Sequence, residues 1–199
     1  MYPLLLDILP TIIDWDKWLL HKINSDWTNS FLDWIYPYWR GRTTWIPLYI
    51  IIVGFIFWKY KKMGIQIMAA IGITIAVANI LSSELIKKTV QRPRPCNETS
   101  IQVRAIPNMN CSPGYSFTSS HATNHFAMSW ALIFFVPIFR RGWWRAILLF
   151  WAASIAYGQA YVAVHYPVDI ICGAMLGTLT AYLFYRLYGW LQFKKWLWV

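Results

Sequence analysis

Read as a pattern of apolar and polar positions, the chain contains five stretches without Asp, Glu, Lys or Arg: residues 43–58, 63–83, 122–139, 146–168 and 170–185. A helix needs roughly 17–25 apolar residues to cross a hydrocarbon core, and most of the five approach or reach that length. Ahead of them, "IIDWDKWLLHKINSDWTNSFLDWIYPYW" mixes apolar and charged positions in a way that suits one or two helices lying in an interface. A spanning helix there would bury Asp14, Asp16, Lys17, His21 and Lys22. The pattern therefore predicts an all-α polytopic membrane bundle. Residues 1–42 form an amphipathic interfacial segment, 43–190 hold about five transmembrane helices, and 191–199 make a short basic and aromatic tail. The longest polar stretch, residues 87–120, and the short link at 161–167 are expected at the same end of the bundle. There is no internal repeat and no sign of a second domain.

Composition supports a membrane as the solvent: 58% of residues are hydrophobic, 19% aromatic and only 13% charged. Trp45, Trp58, Tyr60, Trp143, Trp144, Tyr188 and Trp190 flank the apolar stretches, as interfacial rings do. Basic residues divide evenly between the two ends. The compact loops "WKYKKMG" and "RRGWWR", with Arg186, Lys194 and Lys195, place one end on the cytoplasmic side of the inner membrane. The other end then faces outward, towards the periplasm. The acidic residues all belong to that outer end, so the net charge of +10 acts mainly at the cytoplasmic leaflet. The bilayer is the expected partner and nucleic acid is not; oligomeric state has no signature. The opening "MYPLLLDILPTIIDWDKW" is acidic where a cleaved signal would be basic, so it is expected to be retained.

Three polar clusters meet the outer end. In "KKTVQRPRPC", Lys87 and Arg94 suit either a phosphate or lipid headgroups at a helix end. In "SFTSSHATN", Ser119, Ser120 and His121 begin an apolar stretch, where free N–H groups make an anion site, although a plain serine cap reads the same way. In "HYPVDIICG", Pro167 would start a helix and bring His165 and Asp169 to one face. Such a pair is either structural or a histidine nucleophile held by a carboxylate. Cys96 and Cys111 lie in the outer loop and either pair in an oxidising compartment or remain as two thiols. His125 lacks further ligand-type neighbours in sequence and reads as a packing residue, so no metal site is expected.

Taken together, Lys-x6-Arg-Pro, Ser-x-His and His-x3-Asp, in that order and separated by apolar stretches, resemble the phosphatidic acid phosphatase type 2 (PAP2) superfamily, whose fold is shared with vanadium haloperoxidases. The resemblance covers roughly residues 44–185. It implies a metal-independent membrane lipid phosphatase without a cofactor, in which His165 attacks phosphorus, Asp169 holds it, and His121 serves as acid and then base. Lys87, Arg94 and the backbone at Ser119 and Ser120 would hold the phosphoryl oxygens. The implied substrate is a phosphorylated membrane lipid: undecaprenyl pyrophosphate, phosphatidylglycerophosphate, phosphatidic acid or lipid A. A phosphotransferase and a weakened lipid-binding protein are the alternatives.

Two positions depart from the family pattern. Ser120 stands where the second motif usually has Gly, and Gly158-Gln159 stand where the third usually has Ser-Arg. Gln159 offers phosphate only neutral hydrogen bonds. Arg92 and Lys88 are the candidates to replace the missing cation.

Overall fold

The computed structural model describes the backbone of residues 3–107 and 109–196, with side chains from 10 to 107 and 109 to 191. The chain begins with α1 (Pro3–His21), a π-helical turn (Lys22–Asp26) and α2 (Ser30–Trp39). Asn29 caps α2 by accepting from Leu32 N–H at 2.9 Å. A 3-10 turn (Arg42–Trp45) leads into α3 (Ile46–Tyr60), and Lys61 reverses the chain into α4 (Lys62–Ile80). A π-helical turn (Leu81–Ile86) and α5 (Lys87–Val90) extend α4. Gln91 ends α5 in the left-handed conformation, and Pro93 and Pro95 keep the chain from resuming a helix. After the long loop come α6 (Ser120–Phe135), α7 (Gly142–Tyr161) and α8 (Pro167–Trp196). No strand occurs among the described residues.

The all-helical fold class agrees with the apolar pattern, and the five charge-free stretches become α3, α4, α6, α7 and α8. The number of self-sufficient spans differs. Arg42–Tyr60, Lys62–Asn97 and Pro167–Leu191 are long and apolar enough to cross a membrane. α6, only 16 residues long, and α7 do not meet that measure. α6 packs against α4, α7 and α8 and buries Thr123, His125 and Ser129 among its apolar residues. A helix enclosed by protein can carry polar groups that a lipid-facing helix would expose to hydrocarbon. The outer surface is apolar instead, with Ile50, Ile51, Phe150 and Met175 all exposed.

Close approach of α6 and α8 is set by small residues. A Cβ on Gly173 would lie 2.6 Å from Ser119 O, and one on Gly177 would collide with Thr123 O. The lower core gathers Ile56, Ile67, Ile71, Leu132, Phe135 and Leu148. A second cluster, with Leu20, Ile23, Ile106, Tyr161 and Val164, joins the amino-terminal segment to the long loop before α6. Asp16, expected at an interface, is buried in that segment. In the long loop before α6, Cys96 and Cys111 are joined by a disulfide with a Cα–Cα distance of 5.8 Å. α8 runs straight into the expected tail, but the side chains of 192–199, including Lys194 and Lys195, lie outside the described residues.

Candidate active site

Four helix ends converge where the motifs lie: the C-terminal end of the α4–α5 arm, the N-terminus of α6, the C-terminus of α7 and the N-terminus of α8. His165 occupies the link between α7 and α8 and is 2% exposed. Ala163, with φ of 54°, turns this link. The Gln159 carbonyl accepts from Val164 N–H at 3.0 Å and His165 N–H at 3.2 Å, so the histidine backbone is anchored to the last turns of α7.

The two ring nitrogens meet different chemistry. Nε2 faces Arg94, whose Nη1 lies 3.2 Å away and also donates to Val164 O at 2.9 Å. Nδ1 faces the Ser116 hydroxyl at 3.3 Å, while Asp169 Oδ2 is more distant at 3.8 Å. Ser116 Oγ donates a short hydrogen bond to that same Oδ2. A carboxylate only accepts, so the serine proton goes to Asp169 and the serine oxygen is left to accept from Nδ1–H. This chain favours the tautomer with a free lone pair on Nε2, pointing towards Arg94. The direct His165–Asp169 hydrogen bond expected from i, i+4 spacing is thus replaced by a bridge through Ser116. Burial holds His165 well below the usual histidine range, at about 4; Asp169 opposes the shift, while Lys87 and Arg94 add to it. The imidazole is neutral at ordinary pH, as a nucleophile must be.

Asp169 is held on every side. Oδ2 also accepts from Tyr166 N–H at 2.9 Å, and Oδ1 accepts from Arg92 at 2.7 Å. Arg92 spans to Asp16 Oδ2 at 2.7 Å and lies over the Tyr166 ring, 3.7 Å from its centroid. Asp16 in turn accepts from Val168 N–H at 2.8 Å. Arg92 is therefore committed to two carboxylates and does not replace the cation missing at Gln159. Lys88 does not either, because it pairs with Glu84 on the surface.

Lys87 and Arg94 are differently placed. Lys87 Nζ donates to the carbonyls of Tyr115 and Ser116 at 2.9 and 3.3 Å, next to the residue that bridges His165 and Asp169. Ser119 caps α6 through its side chain, and its own N–H donates to Asp169 O at 3.0 Å. That N–H, expected to face phosphate, docks α6 on α8 in this structure. Ser120 opens α6 in ordinary helical backbone, so a side chain is accommodated where the family usually has Gly. Its hydroxyl joins Ser82 and Ser83 at 2.9 and 3.0 Å.

His121 opens onto a cavity of about 460 Å³ whose wall also includes Arg42, Tyr49, Asn79, Ser120 and Asn124; His165 is not part of that wall. His125 accompanies His121, bonding its carbonyl at 2.9 Å and lying 3.3 Å from Tyr49 Oη. Among the described residues no cluster of three His, Cys, Asp or Glu could hold a metal. Ser116 and Asp16 had no motif to mark them: Ser116 is one serine among several before His121, and Asp16 one carboxylate in an amphipathic run.

Arranged this way, the site presents a neutral histidine with an oriented proton, Arg94 beside its other nitrogen, Lys87 on the Ser116 carbonyl and a second histidine on an adjoining cavity. That set can accept a phosphoryl group on nitrogen and protonate a leaving oxygen. A sequence profile described as the PAP2 superfamily matches residues 66–193. A lipid A 4′-phosphatase from Bacteroides thetaiotaomicron is 29% identical over 160 residues, covering 79% of this chain and 70% of that protein. Another lipid A 4′-phosphatase, from Porphyromonas gingivalis, is 25% identical over 172 residues, covering 85% and 71%. The crystal structure of Aquifex aeolicus LpxE superposes with a TM-score of 0.62 at 21% identity, covering 84% of this chain and 93% of that one. A transmembrane PAP2-type phosphatidylglycerolphosphate phosphatase from Bacillus subtilis gives 0.64 at 18% identity, covering 90% and 87%.

Proposed function

Because this chain belongs to the PAP2 superfamily, and is a membrane phosphatase of that family, we propose that it removes a phosphate monoester from a lipid A type glycolipid through a phosphohistidine on His165. The observation that carries the reading is the polarised environment of His165, with Ser116 and Asp169 on Nδ1 and Arg94 on Nε2. In the first step, with His121 protonated from solvent as the anionic phosphate binds, Nε2 attacks phosphorus, the ester oxygen leaves with the His121 proton, and the phosphoryl group stays on the imidazole. In the second, His121 takes a proton from water, whose oxygen attacks phosphorus and breaks the N–P bond, releasing phosphate. Lys87 and Arg94 counter the charge that builds on the equatorial oxygens.

Substrate class is supported by the relatives and by the cavity beside His121. Two relatives in sequence carry the name lipid A 4′-phosphatase. The cavity is lined by Asn79, Ser83, Asn124 and Arg42 with Ile75 and Met128, a mixture suited to a hydroxylated sugar carrying acyl chains. The site is proposed to open on the periplasmic face of the inner membrane, since the compact basic loops fall at the opposite ends of the helices. The amino-terminal segment is proposed to lie along that outer interface.

Phosphate release by the detergent-purified chain, with EDTA present, tests this across lipid A, phosphatidylglycerophosphate, phosphatidic acid and undecaprenyl pyrophosphate. Lipid A should be turned over fastest. Preference for one of the other lipids would reassign the substrate, and acceptor-dependent product without free phosphate would identify a phosphotransferase.

A further inference from the structure

Seven of the chain's cations fall into two kinds. Arg92, Arg104, Lys22 and Lys88 each contact a carboxylate. Lys87, Arg94 and Arg40 meet only neutral acceptors among the described residues. Lys87 reaches two carbonyls, and Arg94 reaches the carbonyls of Val164 and Pro113 and the imidazole of His165. Arg40, just beyond α2, donates from Nε and Nη2 to one atom, Gln159 Oε1, at 3.1 and 3.0 Å. Its Nη1 has only Met109 Sδ, at 3.7 Å.

We propose that Arg40 is a phosphate-binding residue of this active site, delivered by the amino-terminal segment to the position where Gln159 supplies no charge. The proposal rests on the reading of His165 as the phosphoryl acceptor. Both unusual residues of the third motif form the seat for Arg40. A Cβ on Gly158 would lie 2.7 Å from Tyr36 Cδ1 and 3.5 Å from Arg40 Cβ, so a side chain there would push the end of α2 away. Tyr36 is further fixed against Tyr161, with ring centroids 4.9 Å apart. Gln159 is fully buried, gives its side-chain oxygen to Arg40 and has no partner for Nε2 among the described atoms. Its backbone carbonyl holds His165 N–H, so one residue positions both the guanidinium and the nucleophile.

Electrostatics agree with this placement. Burial, and then the neighbouring Arg94, push the Arg40 guanidinium down to about 10, which leaves it charged at neutral pH. Two guanidinium groups that repel each other, with no carboxylate between them, are stabilised together by an anion that both can reach. A phosphoryl group, with several acceptor oxygens, matches that need.

The test is the thermal stability of the detergent-purified full chain, titrated with inorganic phosphate, which stabilises the folded state in proportion to its affinity. Arg40→Gln should weaken the apparent phosphate affinity by about tenfold or more, as expected for loss of a charge-assisted contact. Arg40→Lys should retain most of it. An affinity unchanged in Arg40→Gln, even if the protein melts earlier, would overturn the proposal and leave only a packing role. Should Arg40→Gln fail to fold, Gln159→Glu gives a second reading, because a carboxylate there cancels the guanidinium charge without removing it. The proposal expects weaker phosphate binding in that variant, and unchanged binding would contradict it. If phosphate does not stabilise the unmutated chain at all, the reading of the site itself falls; if it does so equally in Arg40→Gln, only the role of Arg40 falls.

Discussion

The helical bundle and the amino-terminal segment hold the site by different chemistry. In the bundle, α6 and α8 are pressed together at Gly173 and Gly177, and a backbone bond from Ser119 N–H to Asp169 O fixes the register of the two motif-bearing ends. The amino-terminal segment reaches in with charged side chains: Asp16 to Arg92, Asp33 to Arg104, and Arg40 to Gln159. The bundle therefore sets where the reacting groups stand, and the segment sets which charges remain available. Asp16 shows how this works. By pairing with Arg92 it keeps that arginine on Asp169, while Arg94 stays on His165 Nε2.

The division predicts effects of different kinds. Ser116→Ala, in the loop that leads into α6 of the bundle, should lower kcat by about 10- to 100-fold with KM nearly constant, the range seen when a group that orients an active-site residue is removed. If KM rises instead and kcat holds, Ser116 binds substrate rather than orienting His165. Asp33→Asn, in the amino-terminal brace, should lower Tm by about 2–4 °C, the shift that ~1 kcal/mol produces in a chain of this size, and leave kcat alone. The Arg104 contact holds the Asp33 carboxyl below the usual carboxylate range, with the Tyr161 hydroxyl assisting against burial. A depressed carboxyl stabilises the fold above its unfolded pKa of about 4 and loses that contribution as pH falls through the folded value. The Tm difference between Asp33→Asn and the unmutated chain should therefore shrink as the solution is acidified below that point. A fall in kcat as large as that of Ser116→Ala would show that the brace also tunes the reacting groups.

The same division explains what could be read from the sequence. Lys87, Arg94, His121, His165 and Asp169 stand beside helix ends, where spacing and capping leave a local mark. The structure gathers Lys87, Arg94, His165 and Asp169 about Ser116 and sets His121 on the adjoining cavity. Asp16 and Arg40 act across sequence separations of 76 and 119 residues, which no periodicity records. Their local setting, an amphipathic run with several Trp, describes an interface and hides the two side chains turned inward. The enclosure of α6 was hidden for a related reason. Lack of charge marks a stretch as apolar, but only packing shows that α6 is enclosed by protein on most sides.

Acid-stable and acid-labile phosphoproteins can be separated after rapid denaturation, and that gives the most direct test of the account. Unmutated chain and His165→Ala would be mixed with radiolabelled lipid A phosphate, quenched in alkali during turnover, and examined for protein-bound label. Protein-bound label should survive alkali, be lost in acid and map to the peptide carrying His165, with none in the variant. Turnover at the original rate in His165→Ala, or label on another residue, would contradict the assignment of His165 as the nucleophile.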